Sequence, residues 1–317
     1  MSRTQARCGI CGKDTSLSLL ERYNEYTLHE CSVCKGQFWD PMKNPGSEWY
    51  SHDERYANRN TDPQLGLGGD HMWFFGLLPH PKGRLLDLGM GTGNFLNAAR
   101  QRGYQCSGVD FDPDALETAR SVFGLSDVHL GDVFSAKEKF GEHSFDVITA
   151  FQVLEHVDNP YVFLTCARSL LKKGGYVALA MPHRGFADWM KPGDKPPRHL
   201  SRWNERTLVG ALGRAGFDVI EVASLGVPLW YLVKRFHFWT DGVLSFGLVG
   251  KLQRAVQEAS PVAGAKPRRS KRVAALKTLA LFKDYTLFTI PALCLYVYLW
   301  VRGQHTLDVV ALARTKI

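Results

Sequence analysis

The sequence predicts an α/β protein built on a parallel sheet, with one addition at its N-terminus and another near its C-terminus. Between residues 85 and 222, short apolar runs alternate with amphipathic segments of helical period, a pattern typical of strand–helix–strand units. A glycine-rich turn directly follows the first apolar run, and two Cys-x-x-Cys motifs precede residue 45. With 317 residues and 45% hydrophobic content, the chain is long enough for one such domain and two smaller additions.

Residues 1–45 predict a zinc ribbon. Cys8 and Cys11 form one Cys-x-x-Cys pair, and Cys31 and Cys34 form a second pair nineteen residues later. This spacing suits four thiolates around one tetrahedral ion, with a β-hairpin from Leu17 to His29 between the pairs. A closed four-sulfur shell leaves no open position for chemistry, so we expect structural Zn²⁺.

A redox dithiol pair and disulfides are the alternative interpretations of these cysteines. The polar N-terminus shows no apolar secretory signal, which predicts reduced cysteines and a cytoplasmic location. Both alternatives are therefore disfavoured.

A linker at residues 46–70 is expected to lead into a core at residues 71–225. The predicted strands of this core are Leu85–Leu88, Cys106–Asp110, Val128–Leu130, Asp146–Phe151, Tyr176–Met181 and Val219–Val222. Predicted helices between them include Pro113–Phe123 and Pro160–Leu171.

The turn after the first strand predicts a cofactor site. Gly89, Gly91 and Gly93 let the backbone approach a ligand closely, and a helix that begins near Asn94 points its free N–H groups into the turn. The spacing differs from the dinucleotide fingerprint G-x-G-x-x-G, which argues against a pyrophosphate. Asp110 ends the next strand, where a carboxylate can accept both hydroxyls of a ribose.

Four motifs in this order resemble the class I S-adenosyl-L-methionine (SAM)-dependent methyltransferase family over roughly residues 70–225. They are the turn from Asp87 to Gly93, Gly131-Asp132-Val133, the run Phe145–Val157, and Leu171–Tyr176. The resemblance implies SAM as the cofactor and a Rossmann-like sheet of seven strands. The seventh strand of such a sheet is antiparallel and lies between the fifth and sixth, and its candidate here is Leu307–Ala313, within residues 305–317.

The resemblance also implies a set of cofactor-binding residues. The three glycines would line the methionine end of SAM, Asp110 the ribose, and Asp132 with Val133 the edge of the adenine, while a purely structural turn is the alternative for Asp132. The full set is Asp87, Gly89, Gly91, Gly93, Asn94, Asp110, Phe111, Asp132, Val133 and Gln152.

Polar side chains after the fourth strand are the candidate catalytic groups. Gln152, Glu155 and His156 resemble the E-x-x-E-H motif of quinone and phenol O-methyltransferases, in which a divalent ion lies beside the acceptor oxygen. Glutamine in the first position puts magnesium in doubt, because a neutral amide is a poorer ligand for a hard cation than a carboxylate. His156 is the candidate base, with capping or packing as its alternative role, and His199 is a rival base.

Residues 226–304 are predicted to form an apolar and basic helical insertion at the active-site edge of the sheet. The segment from Lys234 to Lys283 has eleven Lys or Arg against only Asp241 and Glu258, which predicts an anionic partner. Tyr285–Val301 is seventeen residues long and uncharged; as a helix it would be about 25 Å long against a hydrocarbon core of about 30 Å. We therefore expect a helical hairpin on the inner face of an anionic membrane, with a soluble lid or a dimer interface as the alternatives.

These observations predict an enzyme that methylates an oxygen, or a carbon, of a hydrophobic or lipid-linked small molecule. The alternative is an RNA methyltransferase that uses the ribbon and the basic segment to hold phosphates. Phe151-Gln152-Val153-Leu154 lacks the [DNS]-P-P-[YFW] motif of enzymes that methylate base amines, and no Pro-Cys nucleophile follows, so nucleic acid is the less favoured partner. The sequence does not predict an oligomeric state.

Overall fold

The structure, a computed structural model, describes residues 3–46, 49–50, 66–78, 83–186, 194–244 and 288–316. Most of the predicted linker and residues 245–287 of the predicted insertion lie outside these described residues. The chain divides into two compact units, of which the first combines Met1–Leu225 with Thr306–Ile317 and the second is Gly226–His305. The ribbon cysteines and the core sheet therefore belong to the same unit.

The strands and helices of the described residues follow in chain order. The strands are β1 (Arg3–Arg7), β2 (Asp14–Tyr23), β3 (Tyr26–Cys31), β4 (Gln37–Asp40), β5 (Arg84–Leu88), β6 (Gln105–Asp110), β7 (Val128–Leu130), β8 (Phe145–Phe151), β9 (Leu171–Pro182), β10 (Ser201–Arg202), β11 (Phe217–Gly226) and β12 (Thr306–Thr315). The helices are α1 (Gly69–Leu77), α2 (Asn94–Gln101), α3 (Pro113–Phe123), α4 (Val133–Phe140), α5 (Pro160–Leu170), α6 (Glu205–Arg214), α7 (Leu229–Leu244) and α8 (residues 288–301), and a 3₁₀ turn spans Leu154–His156.

The core sheet has seven strands in the order β11-β12-β9-β8-β5-β6-β7. The pairs β5–β6, β5–β8, β6–β7 and β8–β9 are parallel, whereas β12 runs antiparallel to β9. The register of that last pair runs from Asp308 opposite Pro182 to Arg314 opposite Tyr176. The predicted seven-stranded sheet, with its last strand antiparallel between the fifth and sixth, is confirmed.

Local signals in the sequence account for the helix ends around this sheet. α3 begins with Asp112, whose side chain accepts a hydrogen bond from the N–H of Asp114, and ends at Gly124 in the left-handed conformation. α5 begins with Asn159, which accepts from the N–H of Val162. Apolar side chains from these helices and from both faces of the sheet form the core, including the fully buried Leu86 and Leu164.

The ribbon strands form a second sheet, in the order β1-β2-β3-β4-β10. The predicted hairpin between the two cysteine pairs is present as β2 and β3. The fifth strand, β10, comes from a segment that the sequence analysis did not assign to any strand: Ser201 lies opposite Phe38, and Arg202 opposite Gln37. A two-residue strand carries too little pattern to be detected, yet it covers the edge of β4 with backbone hydrogen bonds.

The unit Gly226–His305 contains α7 and α8 among its described residues. α8 coincides with the described part of the apolar run Tyr285–Val301. Among the described helices, none combines the length and the hydropathy that crossing a bilayer requires.

Candidate active site

A cavity of about 790 Å³ opens at the carboxyl ends of β5, β6 and β8. The ends of these three strands contribute Asp87, Asp110 and Phe151 to its wall. This is the edge at which parallel α/β sheets bind their ligands, because the strand-to-helix turns all meet there. The volume lies in the range of ligand-binding cavities.

The glycine turn forms one wall of the cavity, and Gly91 and Gly93 serve different purposes in it. All three have positive φ, at 75° for Gly89, 53° for Gly91 and 82° for Gly93, a region that side chains with a Cβ seldom adopt. A Cβ on Gly91 would meet no atom within 4 Å, whereas a Cβ on Gly93 would lie 2.6 Å from Leu125 Cδ1. Gly91 therefore leaves room for a ligand, and Gly93 allows α2 to pack closely.

Buried carboxylates form the floor of the cavity. Asp87 accepts a 2.6 Å hydrogen bond from the Thr149 hydroxyl, and Asp110 accepts one of 2.8 Å from the N–H of Gly91. Burial raises the pKa of Asp87 to about 7, and the neighbouring carboxylates of Asp110 and Asp70 add to that rise. Burial likewise raises the pKa of Asp110 to about 6, against the hydrogen bonds that it accepts from backbone N–H groups.

The charge of the cavity selects the class of ligand. Five aspartates line it, and the described lining residues include no lysine or arginine. A cationic ligand is favoured next to buried carboxylates, because it stabilises their ionised forms, whereas a pyrophosphate would be repelled. SAM fits this floor, since its sulfonium and its amino group are both positively charged.

Nine of the ten predicted cofactor-binding residues line the cavity; they are Asp87, Gly89, Gly91, Asn94, Asp110, Phe111, Asp132, Val133 and Gln152. The tenth, Gly93, is the N-cap of α2 and is not among the lining residues. Asp132 also caps α4, accepting hydrogen bonds from the N–H groups of Phe134 and Ser135.

The cavity also contains residues that the sequence analysis missed. Asp70 and His71 begin α1, and Tyr50 precedes it, so all three come from outside the recognised motifs. Asp70 is nearly fully buried. A carboxylate in the first turn of an apolar helix is the one signal that the sequence gives for it, and helix capping explains that signal equally well.

Gln152 has a strained backbone at the end of β8, with φ of 59°. Its N–H donates to the carbonyl of Ala180 at 2.7 Å, and its side-chain amide donates to Asp308 Oδ1 at 3.3 Å. These contacts to β9 and β12 hold the chain in the left-handed conformation, which costs a non-glycine residue about 1–2 kcal/mol.

The structure brings the three predicted catalytic residues together. Glu155, His156 and His199 each offer a ligand or proton-accepting atom, and these atoms lie within 4.8 Å of one another. His156 lines the cavity, whereas Glu155 is fully buried in the 3₁₀ turn, and neither Glu155 nor His199 is a lining residue. His199 lies behind His156, with the two ring centroids 4.8 Å apart.

The hydrogen bond of His156 defines which of its ring nitrogens carries a proton, and His199 has a carboxylate partner. His156 Nδ1 lies 2.7 Å from the carbonyl oxygen of Arg198, an atom that can only accept, so Nδ1 carries a proton. In the neutral ring the lone pair then resides on Nε2, which lies 3.7 Å from Glu155 Oε1. His199 Nδ1 pairs with Asp194 Oδ1 at 2.5 Å. A carboxylate beside His156 stabilises the imidazolium that forms when Nε2 takes up a proton.

One carboxylate and two imidazoles are also donors that transition metals accept, whereas magnesium prefers oxygen ligands throughout. Glu155, His156 and His199 therefore fit a softer divalent ion better than the magnesium that the E-x-x-E-H motif implies. Arg202, three residues after His199, contacts the ribbon: its guanidinium lies 5.5 Å from the centroid of the Trp39 ring and 4.0 Å from the Glu21 carboxylate.

The four ribbon cysteines form a second cluster with metal-binding geometry. Their sulfurs are buried and lie within 4.8 Å of one another. The Cys8–Cys34 and Cys11–Cys31 pairs are 3.8 and 3.9 Å apart, close to the roughly 3.8 Å edge of a tetrahedron with zinc–sulfur bonds of about 2.3 Å. Backbone N–H groups of Cys34 and Gly36 point at the sulfurs of Cys31 and Cys34, which stabilises thiolates. The cluster can therefore hold one tetrahedral ion.

Comparison with known proteins agrees with this site. Residues 68–222 match the family model described as "Methyltransferase domain". This part of the chain belongs to the class I SAM-dependent methyltransferase family. The match includes the glycine turn, the acidic floor and the turn with Glu155 and His156, so most of the cavity wall comes from the matched residues, with additions such as Tyr50 from before them.

Curated relatives carry the name "Ubiquinone biosynthesis O-methyltransferase". The chain is 30% identical to the protein of Paracidovorax citrulli over 141 residues, which cover 43% of this chain and 57% of the relative. It is 30% identical to that of Idiomarina loihiensis over 160 residues, covering 50% and 64%. The alignments therefore span about half to two thirds of these relatives. A solved SAM-dependent methyltransferase from Archaeoglobus fulgidus is 17% identical with a TM-score of 0.47, covering 77% of this chain and 92% of that one.

Alanine substitutions should separate the two purposes of the glycines. Gly124, at φ 61° with no atom within 4 Å of an added Cβ, is the matched control for backbone strain alone, which costs about 1 kcal/mol of unfolding free energy. We expect Gly91→Ala to lower the free energy of unfolding by the same amount as the control and to weaken SAM binding at least tenfold. Gly93→Ala should lower the free energy of unfolding by roughly 2–4 kcal/mol, because the added methyl group clashes with Leu125. Thermal denaturation and calorimetric titration measure both effects. A Gly93→Ala protein as stable as Gly124→Ala would contradict this assignment.

SAM binding should depend on pH through the buried carboxylates. Because the pKa of Asp110 is raised to about 6, its carboxyl group is protonated below that pH and no longer offers a negative charge to the ligand. We expect SAM affinity to fall as the pH drops below about 6, and SAM binding near neutral pH to release protons as Asp87 and Asp110 ionise fully. Titration calorimetry in buffers of different ionisation enthalpy measures this release.

Asp110→Asn should bind SAM more weakly and with a flatter pH profile, and Asp114→Asn, at an exposed aspartate, is the control. A constant SAM affinity of the wild type across this pH range would contradict the acidic floor.

Proposed function

We propose that this protein transfers the methyl group of SAM to an oxygen of a hydrophobic or lipid-linked small molecule, with carbon as the alternative reacting atom. The observation that carries the proposal is the position of His156, a base in the wall of an acidic cavity within a methyltransferase domain. The names of the relatives support an oxygen as the acceptor atom.

The lining of the cavity supports an uncharged, ring-containing acceptor. His71 stacks on Phe95 with ring centroids 5.1 Å apart, and Phe151 meets both rings edge to face. All three side chains line the cavity. Aromatic surfaces of this kind bind apolar rings through area burial and edge-to-face contacts.

RNA is a poor acceptor for the same cavity. A polyanionic substrate would meet five aspartates and none of the lysines or arginines of the described lining residues. The acidic wall therefore supports a small molecule over the alternative of RNA methylation.

For methyl transfer the protein needs mainly to position the acceptor next to the methyl group and to remove the acceptor's proton. When bound, SAM would supply an activated methyl group with a neutral thioether as its leaving group. The acceptor oxygen forms a bond to the methyl carbon as the carbon–sulfur bond breaks, and the acceptor's proton passes to His156 Nε2. Glu155 stabilises the resulting imidazolium, and the carbonyl of Arg198 fixes the ring through Nδ1. His199, paired with Asp194, acts as a positioning residue behind His156.

We further propose that the four ribbon cysteines hold one Zn²⁺ with a structural role. The buried sulfurs and their tetrahedral spacing support it. The metal would take no part in methyl transfer, because all four positions around it are filled by protein sulfurs.

Labelled SAM tests the proposed reaction. The protein is incubated with methyl-labelled SAM and separated lipid, RNA and polar small-molecule fractions of cells. We expect label in the lipid or apolar small-molecule fraction, and we expect His156→Asn to lower the rate by about 10²- to 10⁴-fold while SAM affinity stays within about twofold.

His143→Asn is the matched control, because His143 Nδ1 also lies 2.9 Å from a backbone carbonyl, that of Leu171, but outside the cavity. Its φ of 55° is one that asparagine tolerates. Label confined to RNA, or full activity in His156→Asn, would contradict the proposed function.

A further inference from the structure

The helix α8 presents apolar side chains on two opposite faces. Phe288, Ala292 and Leu299 are buried and, at 100° per residue, lie together on one side of the helix. Large side chains exposed by half or more follow the other side: Ile290, Leu293, Val297, Tyr298, Trp300 and Val301. Five of these six, all but Tyr298, fall within an arc of about 100°, so they form one continuous stripe, which we call the outer face of α8.

Such a stripe is unusual on a protein surface. A surface helix normally buries one apolar face and shows polar residues to water, and contiguous exposed apolar patches mark sites of interaction. The exposed fractions of Ile290 and Val301 reach 72% and 71%. The outer face of α8 is therefore a candidate binding surface.

The charge of the same unit indicates the kind of partner. Residues 226–305 contain twelve of the 39 Lys and Arg of the chain but only three of its 31 Asp and Glu, which gives this unit a formal charge of +9 and leaves −1 for the rest. The net positive charge of the protein thus comes from the unit that carries the outer face of α8.

Aromatic rings accompany basic side chains in the described part of this unit. Trp230 is half exposed, and the Lys234 ammonium lies 5.1 Å from its ring centroid. The Arg235 guanidinium lies 5.8 Å from the centroid of Tyr231. Tryptophan and tyrosine beside basic residues are typical of the boundary between lipid headgroups and acyl chains.

We propose that the unit of residues 226–305 binds the surface of an anionic lipid bilayer, with the outer face of α8 inserted among the acyl chains near the headgroups. A helix with one face buried in the protein has only the opposite face available, which suits a position in the plane of the membrane surface. The net positive charge of the unit's sequence then favours binding to anionic headgroups. The inference does not depend on the reaction proposed above.

Two other occupants fit the observations less well. A second copy of the chain would bring two units of +9 together and would be repelled. A nucleic acid would satisfy the charge but offers no partner for a stripe of Ile, Leu and Val side chains. A bilayer with anionic lipids satisfies both features.

Vesicle flotation with the full chain tests the proposal. One set of vesicles is pure phosphatidylcholine, and the other contains equal parts of phosphatidylcholine and phosphatidylglycerol. We expect the protein to float with the anionic vesicles, and Ile290→Ser/Val297→Ser to lower the partition coefficient at least about tenfold, since two apolar side chains lose their contact with lipid. Raising the salt from about 0.05 to 0.5 M should weaken binding of the wild type.

Ile220→Ser/Val122→Ser is the matched control, because it changes the same residue types at exposures of 49% and 52% in the other unit. Circular dichroism and SAM binding confirm that both double variants are folded. Absence of wild-type flotation, equal flotation of the two double variants, or a wild-type dimer that Ile290→Ser/Val297→Ser dissociates without any vesicle binding would each overturn the proposal.

Discussion

The main chain of Leu200 joins the cysteine ribbon to the turn that carries the candidate catalytic residues. Its N–H donates to the carbonyl of Glu155 at 2.7 Å, and its carbonyl accepts from the N–H of Trp39 at 2.9 Å. The side chain of Leu200 is fully buried, so water does not compete for these two hydrogen bonds. The neighbours of Leu200 complete the link, because the carbonyl of Arg198 accepts from His156 and Ser201 pairs with β4. The ribbon, the 198–202 segment and the turn Leu154–His156 thus form one hydrogen-bonded block.

Through these hydrogen bonds the ribbon helps to position His156, although the ribbon itself contributes no reacting group. The donor side of the cavity is made by turns of the core sheet, with the glycine loop and the buried Asp87 and Asp110. The side with His156 depends on a segment that is held from the ribbon. Methyl transfer is sensitive to the position of the proton acceptor, whereas cofactor binding depends on the core loops. Cofactor binding therefore depends on the core loops, whereas the position of the candidate base His156 depends on the segment that pairs with the ribbon.

The sequence predicted the core better than the site. Alternating apolar runs and the glycine turn are local signals, and they predicted the alternating strands and helices of the core. The seven-stranded sheet with its reversed last strand was implied by the resemblance to class I SAM-dependent methyltransferases. Asp70 in the floor of the cavity and His199 behind His156 are placed by contacts between segments that are far apart in the chain. Local sequence patterns do not predict such contacts. Asp70 reaches the cavity from a helix before the first motif, β10 has only two residues, and the placement of His199 behind His156 follows from that strand. The roles of Gly91 and Gly93 also separate only once Leu125 is seen beside Gly93.

The dependence of methyl transfer on the ribbon is tested most directly by comparing Cys11→Ser with Cys294→Ser, a substitution at an exposed cysteine outside the ribbon. Bound zinc, SAM affinity and the rate of methyl transfer are measured on the same preparations. In Cys11→Ser we expect loss of zinc and a fall of about a hundredfold in the transfer rate, with SAM affinity within about twofold of the wild type, while Cys294→Ser changes none of the three. A zinc-free Cys11→Ser protein that transfers methyl groups at the wild-type rate would contradict the account.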